Sequence, residues 1–446
     1  MKKVLIVSYY FPPSGGPGVQ RVLKFVKYLP QFGFEPVVLT VADADFPAVD
    51  ESLLQSIPKD IKVIRTKIFE PYNLYRRFTG KQAGAAVDVE NIPSGKKKGL
   101  SESLAEIIRS TFFIPDARIG WLPYAVSAAT SIMEQEKVDI IYSSSPPYTT
   151  AMIAKKLKKK TGKPWVMGLR DPWTDFISAP KRWFLPAAID RSMEENSVHV
   201  ADAVEIAWEG IGKDLKKKYG TIDPLKIVHI PNGYDSEDYP AVSQPKDMRL
   251  RMAYTGSLYG KRNPQTLLDA MKELREAGKI SADNLNIIFA GRFGAEVREM
   301  FADPRLTGMI EVKDYLPHEE SIKLLLQSNL LVLIVDRSEL SNEIVPGKVF
   351  EYIGARKPII AFAPEGAVAE IIRKTGTGIV VPQDDVAKAK SVILSFYKNS
   401  ISTQPSSTSS KEFFNPKEDA IKEFERKEAT KKLSSLFTEI IERKNG

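Results

Sequence analysis

Glu343 and Glu351 stand eight positions apart in Asn342-Glu343-Ile344-Val345-Pro346-Gly347-Lys348-Val349-Phe350-Glu351-Tyr352. An apolar run, Leu330 to Val335, lies upstream, and Lys357-Pro358-Ile359-Ile360-Ala361-Phe362 follows. Pro346 and Gly347 fit a helix start, because proline at the first helical position gives up only an N–H without a helical partner. The order therefore reads strand, loop, helix, strand. Glu343 falls in the loop at the strand's carboxyl end, and Glu351 on the ligand-facing side of the helix. Open α/β sheets bind ligands at that end. N–H groups at a helix start suit a phosphate, and carboxylates suit sugar hydroxyls, so the combination suits a nucleotide-sugar. The chain holds 56 Asp and Glu, so two glutamates at this spacing also fit a solvated face.

Four further stretches carry candidate residues. Pro12-Pro13-Ser14-Gly15-Gly16-Pro17-Gly18 follows a candidate first strand, and glycine there lets a ligand approach the backbone. It is not the Gly-x-Gly-x-x-Gly fingerprint, and a plain turn also fits. Gly168-Leu169-Arg170-Asp171-Pro172-Trp173 sets a cation beside a carboxylate, which an ion pair at a helix start would explain as well. Tyr254-Thr255-Gly256-Ser257-Leu258-Tyr259-Gly260-Lys261-Arg262 ends in two cations. A guanidinium can bind phosphate through two parallel hydrogen bonds, though a solvated basic loop is the plainer alternative. Phe289-Ala290-Gly291-Arg292 is a strand followed by a glycine turn.

The elements that must position these residues alternate between short apolar runs and helix-period segments, the pattern of a parallel sheet with crossover helices. Candidate strands are Lys3–Val7, Pro36–Val41, Lys62–Thr66, Val138–Tyr142, Trp165–Gly168, Ala203–Ala207 and Lys226–Ile230 in the first half. Arg251–Tyr254, Asn286–Ala290, Asn329–Val335, Pro358–Phe362 and Gly378–Val381 follow in the second. Two doubly wound α/β domains are the simplest packing, with the seam near Pro231–Asp235. Thr79–Gly99 and Ser400–Ser410 read as exposed loops. From Pro416 to Arg443 a charged helical pattern carries Ile421, Phe424, Leu433, Leu436, Phe437 and Ile440, so one face could be buried; a free amphipathic tail is the alternative.

At 446 residues, 43% hydrophobic and 27% charged, the chain reads as an ordinary globular protein of two or three domains. It has no cysteine, which excludes disulfides and fits a reduced cytoplasm. Three histidines, His199, His229 and His318, lack metal-site spacing. No run approaches the roughly 18 apolar residues of a membrane span, and Lys3–Val7 reads as a buried strand, not a signal peptide. The net charge of +8 favours phosphate-bearing ligands or anionic lipid. Leu100, Leu104, Ile107, Ile108 and Phe112 form a helical stripe near Lys96–Lys98. With Phe113 and Trp121 it fits an anionic membrane surface or plain core. No nucleic-acid motif of the usual kinds is present.

The Glu343-to-Glu351 segment, with Pro346-Gly347-Lys348 and Phe350-Glu351-Tyr352, resembles the Glu-x7-Glu signature of family 4 glycosyltransferases. Ser144-Ser145-Pro146-Pro147 with Arg170-Asp171-Pro172-Trp173, and Tyr315-Leu316-Pro317-His318-Glu319-Glu320, resemble segments of the same family. The resemblance implies the GT-B fold, two Rossmann-like domains facing across a cleft with the last helix crossing back to the first. It implies an acceptor domain over residues 1–232, a donor domain over 233–412 and a crossing helix over 413–446. Where the family has Gly-Phe-Gly this chain has Ile344-Val345-Pro346; Ser257 replaces the family arginine, and Arg170-Asp171 stands where many members have a histidine.

On that resemblance the chain moves a sugar from a UDP- or GDP-sugar to a glycan or lipid-linked acceptor of the cell surface, with retention and without a metal or cofactor. Glu343 holds sugar hydroxyls and Glu351 the ribose; Arg262 and Lys348 stabilise the leaving diphosphate, and Asp171 contacts a sugar. Gly15, Gly16, Ser257, Lys261, Gly291, Pro346 and Gly347 line the donor, while Arg170 and Trp173 face the acceptor. His318 is a first-turn helix residue. The implied location is cytoplasmic, at the inner face of the membrane. The alternatives are a sugar-nucleotide 2-epimerase of the same fold and a silent sugar- or lipid-binding homologue.

Overall fold

The structure, a computed structural model, describes the chain except residues 43, 45, 47–48, 70–109, 112, 176–181, 246–248, 338–340, 344, 402–412 and 446. The stretch Thr79–Gly99, the stripe Leu100–Ile108, Phe112 and most of Ser400–Ser410 therefore lie outside the described residues.

The central apolar runs become parallel strands because both faces of each are covered. In β1 (Lys2–Ser8), Val4 and Ile6 point into one core while Leu5 and Val7 point into another. Side chains alternate across a strand, so an unbroken apolar run feeds two layers. β1 is flanked by β2 (Phe34–Val41) and β4 (Ile140–Ser145). Outside these lie β3 (Lys62–Thr66), β5 (Trp165–Leu169), β6 (Ala203–Ile206) and β7 (Ile227–His229), giving the order β3-β2-β1-β4-β5-β6-β7.

A second parallel sheet has the order β10-β9-β8-β11-β12-β13. Its members are β8 (Leu250–Thr255), β9 (Leu285–Ala290), β10 (Ile310–Lys313), β11 (Leu330–Ile334), β12 (Ile359–Phe362) and β13 (Gly378–Val381). Leu330, Val332 and Ile334 enter one core, and Leu331, Leu333 and Val335 the other. Both sheets are doubly wound. The winding reverses between β1 and β4 in the first sheet and between β8 and β11 in the second, and ligands of such sheets gather beside that reversal.

The chain divides into two units, Met1–Asn232 with Arg426–Gly446, and Gly233–Glu425. The tail is not free. Helix Arg426–Asn445 buries Ala429, Leu433, Leu436, Phe437, Ile440 and Ile441 in the core shared with Val4, Ile6 and Val22 of the first unit. Phe437 meets Phe34 edge-on with ring centres 5.4 Å apart. The crossing segment is shorter than the expected 413–446. Helix Glu418–Lys422 stays in the second unit, where Ile421 and Phe424 are buried against its core.

Trp121 is also not a membrane residue. It is fully buried, and its indole donates to Thr66 Oγ1 at 2.7 Å. Among the described residues no helix is long and apolar enough to cross a membrane.

Candidate functional site

All residues singled out in the second unit follow the carboxyl ends of strands. Ser257, Lys261 and Arg262 follow β8, Gly291 follows β9, and Glu343, Pro346, Gly347, Lys348 and Glu351 follow β11. Glycine lets the first two loops meet. Gly256 and Gly291 have φ of 132° and 148°, and a Cβ on Gly291 would stand 1.9 Å from the Gly256 carbonyl oxygen. No larger residue fits that backbone approach. Gly291, expected to line the donor, is thus accounted for by the meeting of two loops.

Helix Lys348–Gly354 begins one residue after its cap, Gly347. Pro346 therefore stands outside the helix instead of at its first position. The entry is a tight turn, in which Val349 N donates to Pro346 O at 3.1 Å and Phe350 N to Gly347 O at 3.2 Å.

Lys348 reaches back to the β8 loop. Its Cε lies 3.6 Å from where a Gly256 Cβ would be, and its Nζ donates to Glu351 Oε2 at 3.0 Å. Tyr352 fixes the same junction by accepting from Thr255 N at 2.9 Å, while the Tyr254 hydroxyl donates to Ser257 O at 3.1 Å. Burial pushes both phenols up, so they stay neutral. Lys348, Glu351 and the Gly256–Ser257 backbone form one cluster.

Arg262 is placed differently from the expectation. Its Nε and Nη2 donate to the two oxygens of Asp336 at 2.9 and 3.0 Å. A forked ion pair of this kind fixes the guanidinium plane and directs two of its donors away from any phosphate. Lys261 is exposed, and its ammonium has no partner among the described residues. Glu343 is exposed in the turn after β11, and no contact joins it to Lys348 or Glu351 among the described residues. That turn is anchored by Asn342, whose carbonyl accepts from Ala367 N at 2.8 Å.

In the first unit Gly15 and Gly16 follow β1, and Gly16, with φ of 100°, caps helix Pro17–Tyr28. Arg170 follows β5 and lies against this turn, since a Cβ on Gly18 would stand 1.7 Å from its Nη1. Its backbone N donates to Ser145 O at 2.9 Å, and its Nη2 donates to the Pro146 carbonyl. Asp171 is half-buried, and its carbonyl accepts from the Tyr148 hydroxyl at 3.4 Å.

Trp173, expected at the acceptor, belongs to the core. It is 2% exposed, stacks on Tyr148 with ring centres 4.9 Å apart and donates its indole N–H to Asp190 at 2.8 Å. Beneath the Gly16 turn Arg21 is fully buried against Glu205, which also accepts from the Tyr142 hydroxyl at 2.9 Å. Burial pushes the Glu205 carboxyl up.

Two family models match this chain. The one described as Glycosyltransferase Family 4 covers residues 81–238, and the one described as Glycosyl transferases group 1 covers residues 235–412. The chain belongs to glycosyltransferase family 4. No curated protein matches it.

Solved structures show what the fold is. Anabaena HepE in complex with UDP-glucose is 13% identical with a TM-score of 0.60, covering 98% of this chain and 100% of its own. The sucrose-phosphate synthase of Thermosynechococcus elongatus is 12% identical with a TM-score of 0.62, covering 98% and 99%. A putative UDP-N-acetylglucosamine 2-epimerase from Listeria monocytogenes is 13% identical with a TM-score of 0.53, covering 97% and 95%. The fold is GT-B.

In this family 4 chain the sequence reading missed several residues that the folded edges depend on. Asp336 sits two residues beyond β11, and an acid directly after a buried strand at the winding reversal was its only signal. Tyr352 was read as part of a motif, and its bond to Thr255 spans nearly a hundred residues. Gly18 gives no sign in the string of the close approach it allows Arg170. His318 is the first residue of helix His318–Leu326, and its Nε2 lies 3.2 Å from Asp238. Among the described residues no cluster of three or more metal-ligating side chains is present.

Proposed function

We propose that this chain is a retaining, metal-independent glycosyltransferase that moves a sugar from a UDP- or GDP-sugar onto a glycan or lipid-linked acceptor of the cell surface. The observation that carries the reading is the cluster at the second sheet's reversal, where Lys348 and Glu351 meet the Gly256–Ser257 backbone. A cation beside a carboxylate at that edge suits a diphosphate joined to a ribose. The second unit then holds the donor, and the first unit the acceptor. The neighbour HepE, seen with UDP-glucose, supports the donor class.

In this reading the bond between the sugar's anomeric carbon and the diphosphate oxygen breaks while the acceptor hydroxyl bonds to that carbon on the same face. The departing phosphate oxygen takes the acceptor proton. Lys348 stabilises the charge that develops on the diphosphate, the place where electrostatic help lowers a barrier most. Arg262, oriented by Asp336, lends its remaining Nη1 donor. Glu351 holds ribose hydroxyls, Glu343 those of the sugar, and Asp171 contacts a sugar from the first unit.

A lipid-linked acceptor draws support from an apolar ridge at the start of helix Phe184–Val200. Trp183, Phe184, Leu185 and Ile189 are exposed by 43, 81, 49 and 41%. Such a ridge on a basic protein suits the inner face of a membrane.

Incubation with UDP- and GDP-sugars, with free nucleotide and epimerised sugar both measured, tests the reading. Nucleotide release that Glu343→Ala abolishes supports transfer. Interconversion of the donor sugar's epimers supports the 2-epimerase alternative, and neither product from any donor supports the silent homologue.

A further inference from the structure

We infer that Gln383, on the loop after β13, is a positioning residue for Arg262. It fixes the Asp336 carboxylate that aims the Arg262 guanidinium, and it keeps a second arginine off that carboxylate. This role rests on the transferase reading, in which Arg262 lends Nη1 to the donor diphosphate.

The pair needs such support. The side chains of Arg262 and Asp336 are 26% and 34% exposed. An ion pair this open gains little in water and costs the ordering of two side chains. Its forked geometry persists only where the backbone that carries the acid is already fixed.

Gln383 supplies that fixation from another strand. β12 lies between β11 and β13, so the half-buried Gln383 reaches past the end of one strand to touch the next. Its Nε2 donates to Val335 O at 2.6 Å and to Asp336 O at 3.0 Å. The two N–H groups of one amide thus hold the carbonyls on either side of the Asp336 Cα. The following backbone group is held as well, because Arg337 N donates to Lys261 O at 3.1 Å. That bond ties the same stretch to the β8 loop that carries Arg262.

The Gln383 backbone removes a competitor. Arg337 is next to Asp336 in the chain, and a free guanidinium there would compete for the carboxylate. Instead its Nη2 donates to Thr266 Oγ1 at 2.7 Å and to the Gln383 carbonyl. Thr266, in the first turn of helix Gln265–Glu276, donates its hydroxyl to the same carbonyl. Among the described residues no bond joins Arg337 to Asp336, and both carboxylate oxygens go to Arg262. The amide of Gln383 therefore fixes where the acid stands, and its carbonyl fixes which arginine the acid meets. A neutral residue does both without changing the charge at the edge.

Isothermal titration of the full chain with UDP and with GDP reads this coupling without turnover. Gln383→Leu keeps the bulk and loses the two donors. It is expected to weaken the nucleotide that the parent binds about 5-fold, the range of one lost hydrogen bond. Arg262→Gln should weaken it about 10-fold, the range of a charged one. Residues that act through one another are not additive, so the double variant should bind within ~2-fold of Arg262→Gln alone. Weakening by the same factor with and without Arg262 would make Gln383 general scaffolding and overturn the role. Parent-like binding by Gln383→Leu or by Arg262→Gln would also overturn it, as would a parent that binds neither nucleotide. If Gln383→Leu does not fold by circular dichroism, Gln383→Asn, whose amide is too short to hold both carbonyls, takes its place in the same cycle. Failure of the transferase reading would appear separately, as absent nucleotide release with the coupling intact.

Discussion

At the carboxyl edges of the two sheets, Arg262 and Lys348 are held differently from Arg170. After β8 and β11, Arg262 is forked onto Asp336 and Lys348 is bonded to Glu351, so a carboxylate of the same unit answers each. After β5, Arg170 rests against a glycine and a carbonyl. Pairing with a carboxylate fixes a cation's direction but cancels much of its field, while contact with neutral backbone fixes it and leaves the charge intact. At the second edge carboxylates set the direction of both cations, and at the first a glycine and a carbonyl set that of Arg170.

The sharpest way to break this contrast is Lys348→Ala. Removing a cation from the place where leaving-group charge develops is expected to slow nucleotide release by about 100-fold or more. A variant within a factor of ~3 of the parent rate would take Lys348 out of the site.

Backbone should matter more at the second edge as well. Gly291→Ala combines φ of 148° with a Cβ 1.9 Å from a carbonyl oxygen, whereas Gly16→Ala meets no atom within 4 Å at φ of 100°. Urea unfolding should show a loss of about 1–2 kcal/mol for Gly16→Ala, from backbone strain alone, and at least ~1 kcal/mol more for Gly291→Ala. Equal losses would mean that the two loops relax apart freely.

Asp336→Asn should come next. It keeps the size of the side chain but loosens Arg262, and kcat/KM for the donor is expected to fall about 10-fold, chiefly through KM. An unchanged value would make the pair a structural ornament of the loop.

The smallest effect lies away from both edges. Glu136 is hydrogen-bonded to Lys3 at 2.7 Å and Lys62 at 2.6 Å, which hold its carboxyl down at about 2, against an ordinary value of 4.5. A depressed acid stabilises the fold above its unfolded value and loses that contribution as pH falls through the folded one. Glu136→Gln should therefore be slightly less stable than the parent at pH 7 and indistinguishable from it near pH 2, by urea midpoint. A difference that persists in acid would assign the loss to packing instead of charge.

Strands buried on both faces announced themselves as apolar runs, and the more exposed β3 and β7 as short apolar stretches, so twelve of the thirteen strands among the described residues were legible. The exception, β10, reads Ile310-Glu311-Val312-Lys313 and lies at the sheet's edge, where three of its four residues are exposed. The Glu343-to-Glu351 segment was legible because its spacing and flanking residues are local. Trp173 misled because an aromatic residue beside Arg170-Asp171 looks the same in a string whether it faces a ligand or Tyr148.

Residue order alone determined two parallel α/β sheets, the loops that end their strands and the family to which those loops belong. These follow from hydrophobic period and short-range spacing, both written into neighbouring positions. Only the folded chain decided which cations are answered by carboxylates and which by backbone. The partners Arg262–Asp336 are 74 residues apart, and Arg170 reaches Gly18 from another strand. Side chains so distant in the chain meet only when parallel strands bring their ends to one edge.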